Sequence, residues 1–375
     1  MRSVLSSTLL LYACLVAAAP APAAQAPGTR ATALPPSPTG ADIYRAACIT
    51  CHGADGTGSP KTVVGFDAEL PDFTDCAFAS AEADLDWYSV VHEGSPIRAL
   101  GHHMPAFGDA LSSEEIELAV SHVRTFCQDP SWPRGDLNLP RALFTEKAFP
   151  ENEVVWSTSV AGGDERAIGN TLLYERRIGS RTQIEVAIPI DFQRAATREW
   201  ARGIGDAAFA LKRVLSANMA TGHIVSAGAE LIVPTGNESN GLGSGHAIFE
   251  PFVMWGQILP RNAFIQMHAG VELPFESSAT RETFVRTAVG TSFFGDRGFG
   301  RAWSPTVEVL WATPQGEASE WDLVPQLQVS LSKLQHVMVA GGVRIPLSDR
   351  ETRRSQVVGY LLWDWYDGSF FDFWK

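Results

Sequence analysis

Two thiols and an imidazole fall within five positions of "CITCHGADGTG", as Cys48, Cys51 and His52. At this CxxCH spacing two cysteines can form thioethers to the vinyl groups of one haem, holding the histidine beneath the iron as an axial ligand. The same residues could form a metal site or a redox dithiol, but the residues that would support either are missing. A sixth ligand is offered by Met104, in "GHHMPAFG", 52 residues after His52. Thioether ligation favours reduced iron and raises the potential relative to two imidazoles. His103 is the next candidate, with His92 and His102 as further competitors. Iron held by His and Met has no open position, so the expected chemistry is electron transfer by one covalently attached haem c, not enzymatic turnover. A peroxidase-like activity would require Met104 to dissociate. No Ser-His-Asp arrangement or phosphate loop stands out. The glycine-rich "GIGD", "GLGSG" and "GDRGFG" read as turns, because none sits between a strand and a helix.

The elements that must position these groups are short helices. "GADIYRAAC" places Ile43, Tyr44 and Ala47 at helical spacing and runs into the haem motif. In "LSSEEIELAVSHVRTFC", Ser112 and Glu115 form a capping box, and Glu114, Glu115 and Glu117 favour the first turn. Ile116, Ala119, Val120, Val123 and Cys127 then make one apolar face.

The setting reads as exported. Arg2, the apolar "VLSSTLLLYACLVAAA" and the small residues Ala21-Pro22-Ala23 form a secretory signal over residues 1–23. Cys14, at the end of "LYAC", also permits a lipoprotein reading, against which stand the bulky Tyr12 and the apolar run beyond the cysteine. Of five cysteines, Cys14 leaves with the signal and two go to the haem. Cys76 and Cys127 remain, as a disulfide in an oxidising compartment or as two buried thiols. The chain carries a net charge of −13. From Pro27 to Pro140 sixteen acidic residues face six basic ones, a net of −10. That disfavours nucleic acid and anionic membrane surfaces and would attract a redox partner with a basic docking face.

Residues from about Gly40 to Cys127 resemble a class I c-type cytochrome. "GADIYRAACITCHGADGTG" is similar to that family's opening helix and haem motif. "VVHEGSPIRALGHHMPAFGDALSSEEIELAVSHVRTF" is similar to its methionine loop and closing helix. The resemblance implies a haem c wrapped by a few helices, with Gly40 and Tyr44 near the crossing of the first and last. It puts the ligand roles on Cys48, Cys51, His52 and Met104, with Pro105 bracing the methionine loop. The pair Cys76 and Cys127 and the insert "PDFTDCAFASAEADLDW" depart from the pattern.

After the proline-rich "QDPSWPRGDLNLPRALFTEKAFP" the periodicity changes from 3.6 to 2. "NAFIQMHAGVELP" sets Ile265, Met267, Ala269, Val271 and Leu273 against Gln266, His268, Gly270 and Glu272. "RTQIEVAIPI" and "DLVPQLQVSLS" alternate likewise. About twelve such segments follow Asn152, each near the ten residues that cross a bilayer as a tilted strand. Strands can do so only as a closed barrel. This half resembles outer-membrane barrels of the transporter-like sort, on "GIGDAAFALKRVL", "SAGAELIVPTG" and the aromatic end "YLLWDWYDGSFFDFWK", where Phe373 and Trp374 precede Lys375. Trp255, Trp303, Trp311, Trp321, Trp363 and Trp365 would supply two interfacial belts, and His268, Glu272, Arg286, Glu308 and Arg344 a narrow lumen. A soluble β domain would show the same alternation with the tryptophans in its core.

The expected organisation is α plus all-β. It comprises a signal peptide (1–23), a Pro/Ala-rich linker (24–39), a small all-α class I cytochrome c domain (40–128) and a second linker (129–150). An antiparallel barrel of about twelve strands (151–375) completes it. The expected function is a single-haem periplasmic electron carrier, serving periplasmic redox proteins and tethered in outer-membrane lipid by its barrel. Two further readings are an electron conduit from an extracellular donor and a small-solute channel with a haem-domain gate or sensor.

Overall fold

The computed structural model describes residues 34–365, apart from 99, 163–166, 195–199, 295–301 and 333–334. The expected leader with Cys14, most of the Pro/Ala segment and the aromatic end at Phe373, Trp374 and Lys375 lie outside the described residues. No described helix is long and apolar enough to cross a membrane.

The first domain begins where Thr39 caps α1 (Gly40–Ile43): its hydroxyl accepts from the Asp42 amide and its own amide donates to the Asp42 carboxylate. The run continues through a π-turn (Tyr44–Cys48) into α2 (Ile49–His52). Short helices α3 (Lys61–Val64) and α4 (Cys76–Ala79) and the longer α5 (Asp84–Glu93) follow. The closing helix α6 (Ser113–Val123) has both bonds of the predicted capping box. Ile116, Ala119, Val120 and Val123 are buried as the periodicity requires, and pack with Ile43, Tyr44, Tyr88 and Phe73. Cys76 and Cys127 are joined as a disulfide, which ties the start of α4 to the chain beyond α6.

The second domain is a closed antiparallel barrel. Its strands are β1 (Asn152–Ala161), β2 (Ala167–Ile178), β3 (Thr182–Arg194), β4 (Trp200–Ile204), β5 (Ala207–Asn218), β6 (His223–Val233), β7 (Ile248–Leu259), β8 (Ala263–Pro274), β9 (Glu282–Thr291), β10 (Trp303–Pro314), β11 (Glu320–Ser330), β12 (Val337–Pro346) and β13 (Gln356–Asp364). Apart from β4, which pairs with β3 alone, each pairs with its neighbours in order, β3 with β5, and β1 with β13 closes the ring. β4 and β5 pair with successive halves of β3, so together they make one wall position and the barrel has twelve.

Its polarity is inverted relative to a soluble protein. Gln183, Glu185, Lys212, Gln266, His268, Glu308, Gln326 and Gln328 are buried inside, while Ile184, Ile188, Phe209, Leu211, Val307, Val309 and Leu327 are exposed outside. Water would not sustain so continuous an apolar exterior; hydrocarbon would. Among the described residues no tryptophan within a strand is buried, as the core of a soluble β domain would require. Trp303 at the start of β10 and Trp255 and Trp363 late in their strands face outward on the side of the first domain. Trp311 and Trp321 pair across β10 and β11 near the other rim, rings 6.4 Å apart. Trp365 departs from the belts: it lies past β13, buried, and stacks on Tyr174.

Residues 129–150, expected as a linker, split into two stretches. The first lies between the domains. Ser131 binds Ser180 and Arg181 in the β2–β3 turn, and Arg134 and Asp136 bind Asp84 at the start of α5. The second enters the barrel and reaches its wall on several sides, leaving a cavity beside Arg141 and Lys147 that Ser304, Gln328 and Met338 also line. The Arg141 guanidinium pairs with Glu153 on β1 and Glu175 on β2, and its carbonyl accepts from Tyr360 on β13. Glu308 on β10 accepts from the amides of Leu143, Phe144 and Thr145. The Pro140 carbonyl accepts from Gln266 on β8, that of Lys147 from Lys212 on β5, and that of Ala148 from Ser226 on β6. Lys147 pairs with Glu151 and Glu153. Leu137, Ala148 and Phe149 form an apolar cluster with Val214, Ile224, Phe252 and Met254. This segment is an internal plug.

Candidate functional site

Cys48, Cys51 and His52 occupy the end of the helical run that α1 begins, and two contacts hold that run in place. Gly40 lies so close to α6 that a side chain there would collide with the Leu118 carbonyl. The Tyr44 hydroxyl donates to the Gly53 carbonyl at 2.8 Å, and the ring packs edge-on to His122 and against Phe126. Burial pushes the Tyr44 phenol up to about 12.

One cavity, far more apolar than polar, gathers Cys48, His52 and Met104 with Tyr44, Phe73, Phe78 and Trp87. The His52 ring stacks on Phe73, centroids 4.8 Å apart, and its Nδ1 is buried without a hydrogen-bond partner among the described residues. Burial holds the imidazole below its usual range, so it is neutral and able to ligate. Burial, with Cys51 beside it, pushes the Cys48 thiol up to about 11. Redox dithiols have lowered values, so this cysteine does not fit that alternative. The two thiols are not joined to each other. Among the described residues no group of three or more His, Cys, Asp or Glu is arranged to hold a metal ion. A flat, largely apolar macrocycle fits the residues present.

Met104 is brought to the same cavity by its loop. The Ser95 amide donates to the Met104 carbonyl at 3.2 Å, and the Ser95 hydroxyl donates to the Gly101 carbonyl. Gly94, at φ +80°, allows the approach, since a Cβ there would lie 2.8 Å from the Met104 oxygen. His103 is exposed and stacks on Phe66, 4.3 Å between centroids. His92 stacks on Tyr88 and binds Glu93. His102 is exposed, and none of these three histidines lines the cavity.

The insert of residues 71–87 supplies what sequence reasoning missed. Its Phe73, Phe78 and Trp87 form one wall, and Arg124 lies over Trp87, 4.3 Å from the ring. Glu82 and Asp86 line the cavity as well, together with Arg98, which is paired to Asp86. The density of aromatics in an aperiodic stretch was the available signal. Glu82 also faces the barrel, with His336 Nε2 at 3.7 Å from its carboxylate.

Residues 36–123 match the family model for cytochrome c oxidase, cbb3-type, subunit III. In fold, the chain is similar to a KdgM porin in complex with disordered oligogalacturonate, at 8% identity and TM-score 0.39 over 56% of this chain and 98% of that one. It is also similar to an outer membrane channel from Pseudomonas putida F1, at 13% identity and TM-score 0.41 over 60% and 99%. NanC porin gives 8% identity and TM-score 0.37 over 56% and 98%. No curated protein matches the chain. The N-terminal part is a cytochrome c domain, and the C-terminal part is a closed twelve-stranded β-barrel. With its apolar exterior, the barrel makes this an outer-membrane protein.

Proposed function

We propose that the protein is a periplasmic electron carrier anchored by its barrel, with one haem c joined to Cys48 and Cys51 and ligated by His52 and Met104. Bound haem would supply one-electron chemistry. The chain's own part is to hold a neutral imidazole and a thioether in one apolar cavity. That cavity excludes water with Phe73, Phe78 and Trp87 and places Arg98 among otherwise acidic neighbours. The net charge of −10 over Pro27–Pro140 supports partners with a basic docking face, recognisable by electron-exchange rates that fall with salt.

The observation that carries the anchoring reading is the plug. A conduit would need redox groups along the lumen, and a channel would need an open bore. Residues 138–151 occupy that space with buried side chains. The test uses the full-length protein in proteoliposomes whose haem domains face the interior. A membrane-impermeant reductant added outside should leave the haem oxidised, while reduction would overturn anchoring in favour of conduction. A far-red methionine-to-iron band in the oxidised protein, lost in Met104→Ala, checks the ligand, and its absence from the unsubstituted protein would refute Met104.

A further inference from the structure

We propose that electron transfer at the haem site is coupled to a proton held on His336, between the cytochrome domain and the barrel. The inference rests on the haem reading of the apolar cavity and adds to it a second, charge-balancing site.

Two cavities meet at one short stretch of chain. Glu82 and Asp86 line the apolar cavity that gathers His52 and Met104. They also line a second cavity, of about 410 Å³, at the mouth of the barrel, together with His336 and Asp364. Asp86 is held by Arg98. The Glu82 carboxylate meets the barrel at His336, 3.7 Å from Nε2, while Nδ1 of the same ring lies 3.6 Å from Asp364. The Asp364 amide donates to the His336 carbonyl at 2.9 Å, which keeps these two residues side by side.

A neutral imidazole carries one N–H, so in either tautomer one ring nitrogen would turn a lone pair toward a carboxylate. Only the imidazolium can donate toward both. The arrangement is a receptor for a proton, with one wall from each domain. Its surroundings leave the charge to this group. On the cytochrome side Arg134 pairs with Asp84 and Asp136, and Arg124 with Asp84. On the barrel side Glu151 and Glu153 also act on Asp364, and both pair with Lys147. Arg141 is divided between Glu153 and Glu175. Carboxylates thus outnumber fixed cations here among the described residues, which favours a charged His336.

Coupling follows from charge. Haem iron changes by one unit of charge between its two oxidation states, and Glu82 stands in the wall of both cavities. When an electron arrives from a redox partner, His336 takes one proton from solvent through the barrel-mouth cavity. When the electron leaves, the proton returns the same way. By reciprocity a proton on His336 raises the potential by the same free energy.

The test is the midpoint potential of the full-length protein in detergent, titrated with soluble mediators from about pH 5 to about pH 9, across the imidazole range. The potential should fall as pH rises. A proton affinity about tenfold higher in the reduced state corresponds to a total fall of about 59 mV. His336→Gln should remove the fall, and Asp364→Asn should move it to lower pH. Should these barrel variants fail to fold, Glu82→Gln, which alters only the cytochrome-side partner, should also move it to lower pH. A potential independent of pH in protein that keeps its far-red methionine-to-iron band would overturn the coupling and leave the haem reading standing. So would a fall of unchanged size and position in the folded variants. Absence of covalent haem would remove the reading beneath the coupling, and the coupling with it.

Discussion

Gly40 rests against the backbone of Leu118, with the Cβ of His122 2.9 Å from where its own would be. The first and last helices of the cytochrome domain therefore cross at backbone contact. Gly40→Ala should lower the domain's stability by about 1–3 kcal/mol, the usual cost of overpacking. A thermal melt followed in the Soret region measures it, and an unchanged midpoint would contradict the crossing.

Tyr44 should govern an alkaline transition. Its phenol titrates from 10.0 when unfolded and from about 12 when folded. The folded state keeps its proton longer, so this contribution is complete below pH 10 and is lost as pH rises through 12. Absorbance at 295 nm should show the delayed phenolate, with loss of structure over the same range. Tyr44→Phe should lack the step and cost about 1 kcal/mol through its missing hydrogen bond.

The Cys76–Cys127 bridge spans 51 residues. On the chain-entropy account such a loop is worth about 4 kcal/mol. Replacing both cysteines by serine should lower the melting temperature of the cytochrome domain. Because Cys76 lies between Phe73 and Phe78 in the insert, the far-red methionine-to-iron band should weaken as well.

Arg141→Met should destabilise the barrel strongly, by about 3–5 kcal/mol, because Glu175 would stay buried without a counter-charge and Glu153 would keep only Lys147. The readout is the temperature at which the folded band converts to the unfolded one on a gel. Arg141→Lys should rescue only in part, since the shorter lysine brings its ammonium short of the point where Nη1 meets both carboxylates.

What was legible in the chain was local or periodic. CxxCH announces itself by spacing, the Ser112–Glu115 box by type and position, and strands by alternation that holds for residue after residue of β8 and β11. The pocket wall was not legible, because Phe73, Phe78 and Trp87 come from a stretch with no period. The plug was missed for a related reason. Four prolines mimic a linker, yet "LPRALFTEKAFP" lacks the glycine and serine of a flexible one. Its partners lie far along the chain, as far as Tyr360 from Arg141. Leu143, Phe144 and Phe149 were the clue, apolar residues that a solvent-exposed connection has no reason to carry.

Arg141 touches Glu153 on β1 and Tyr360 on β13, the two strands whose pairing closes the ring. The plug therefore braces the seam from inside, fastened to the two strands whose hydrogen bonds turn a sheet into a ring.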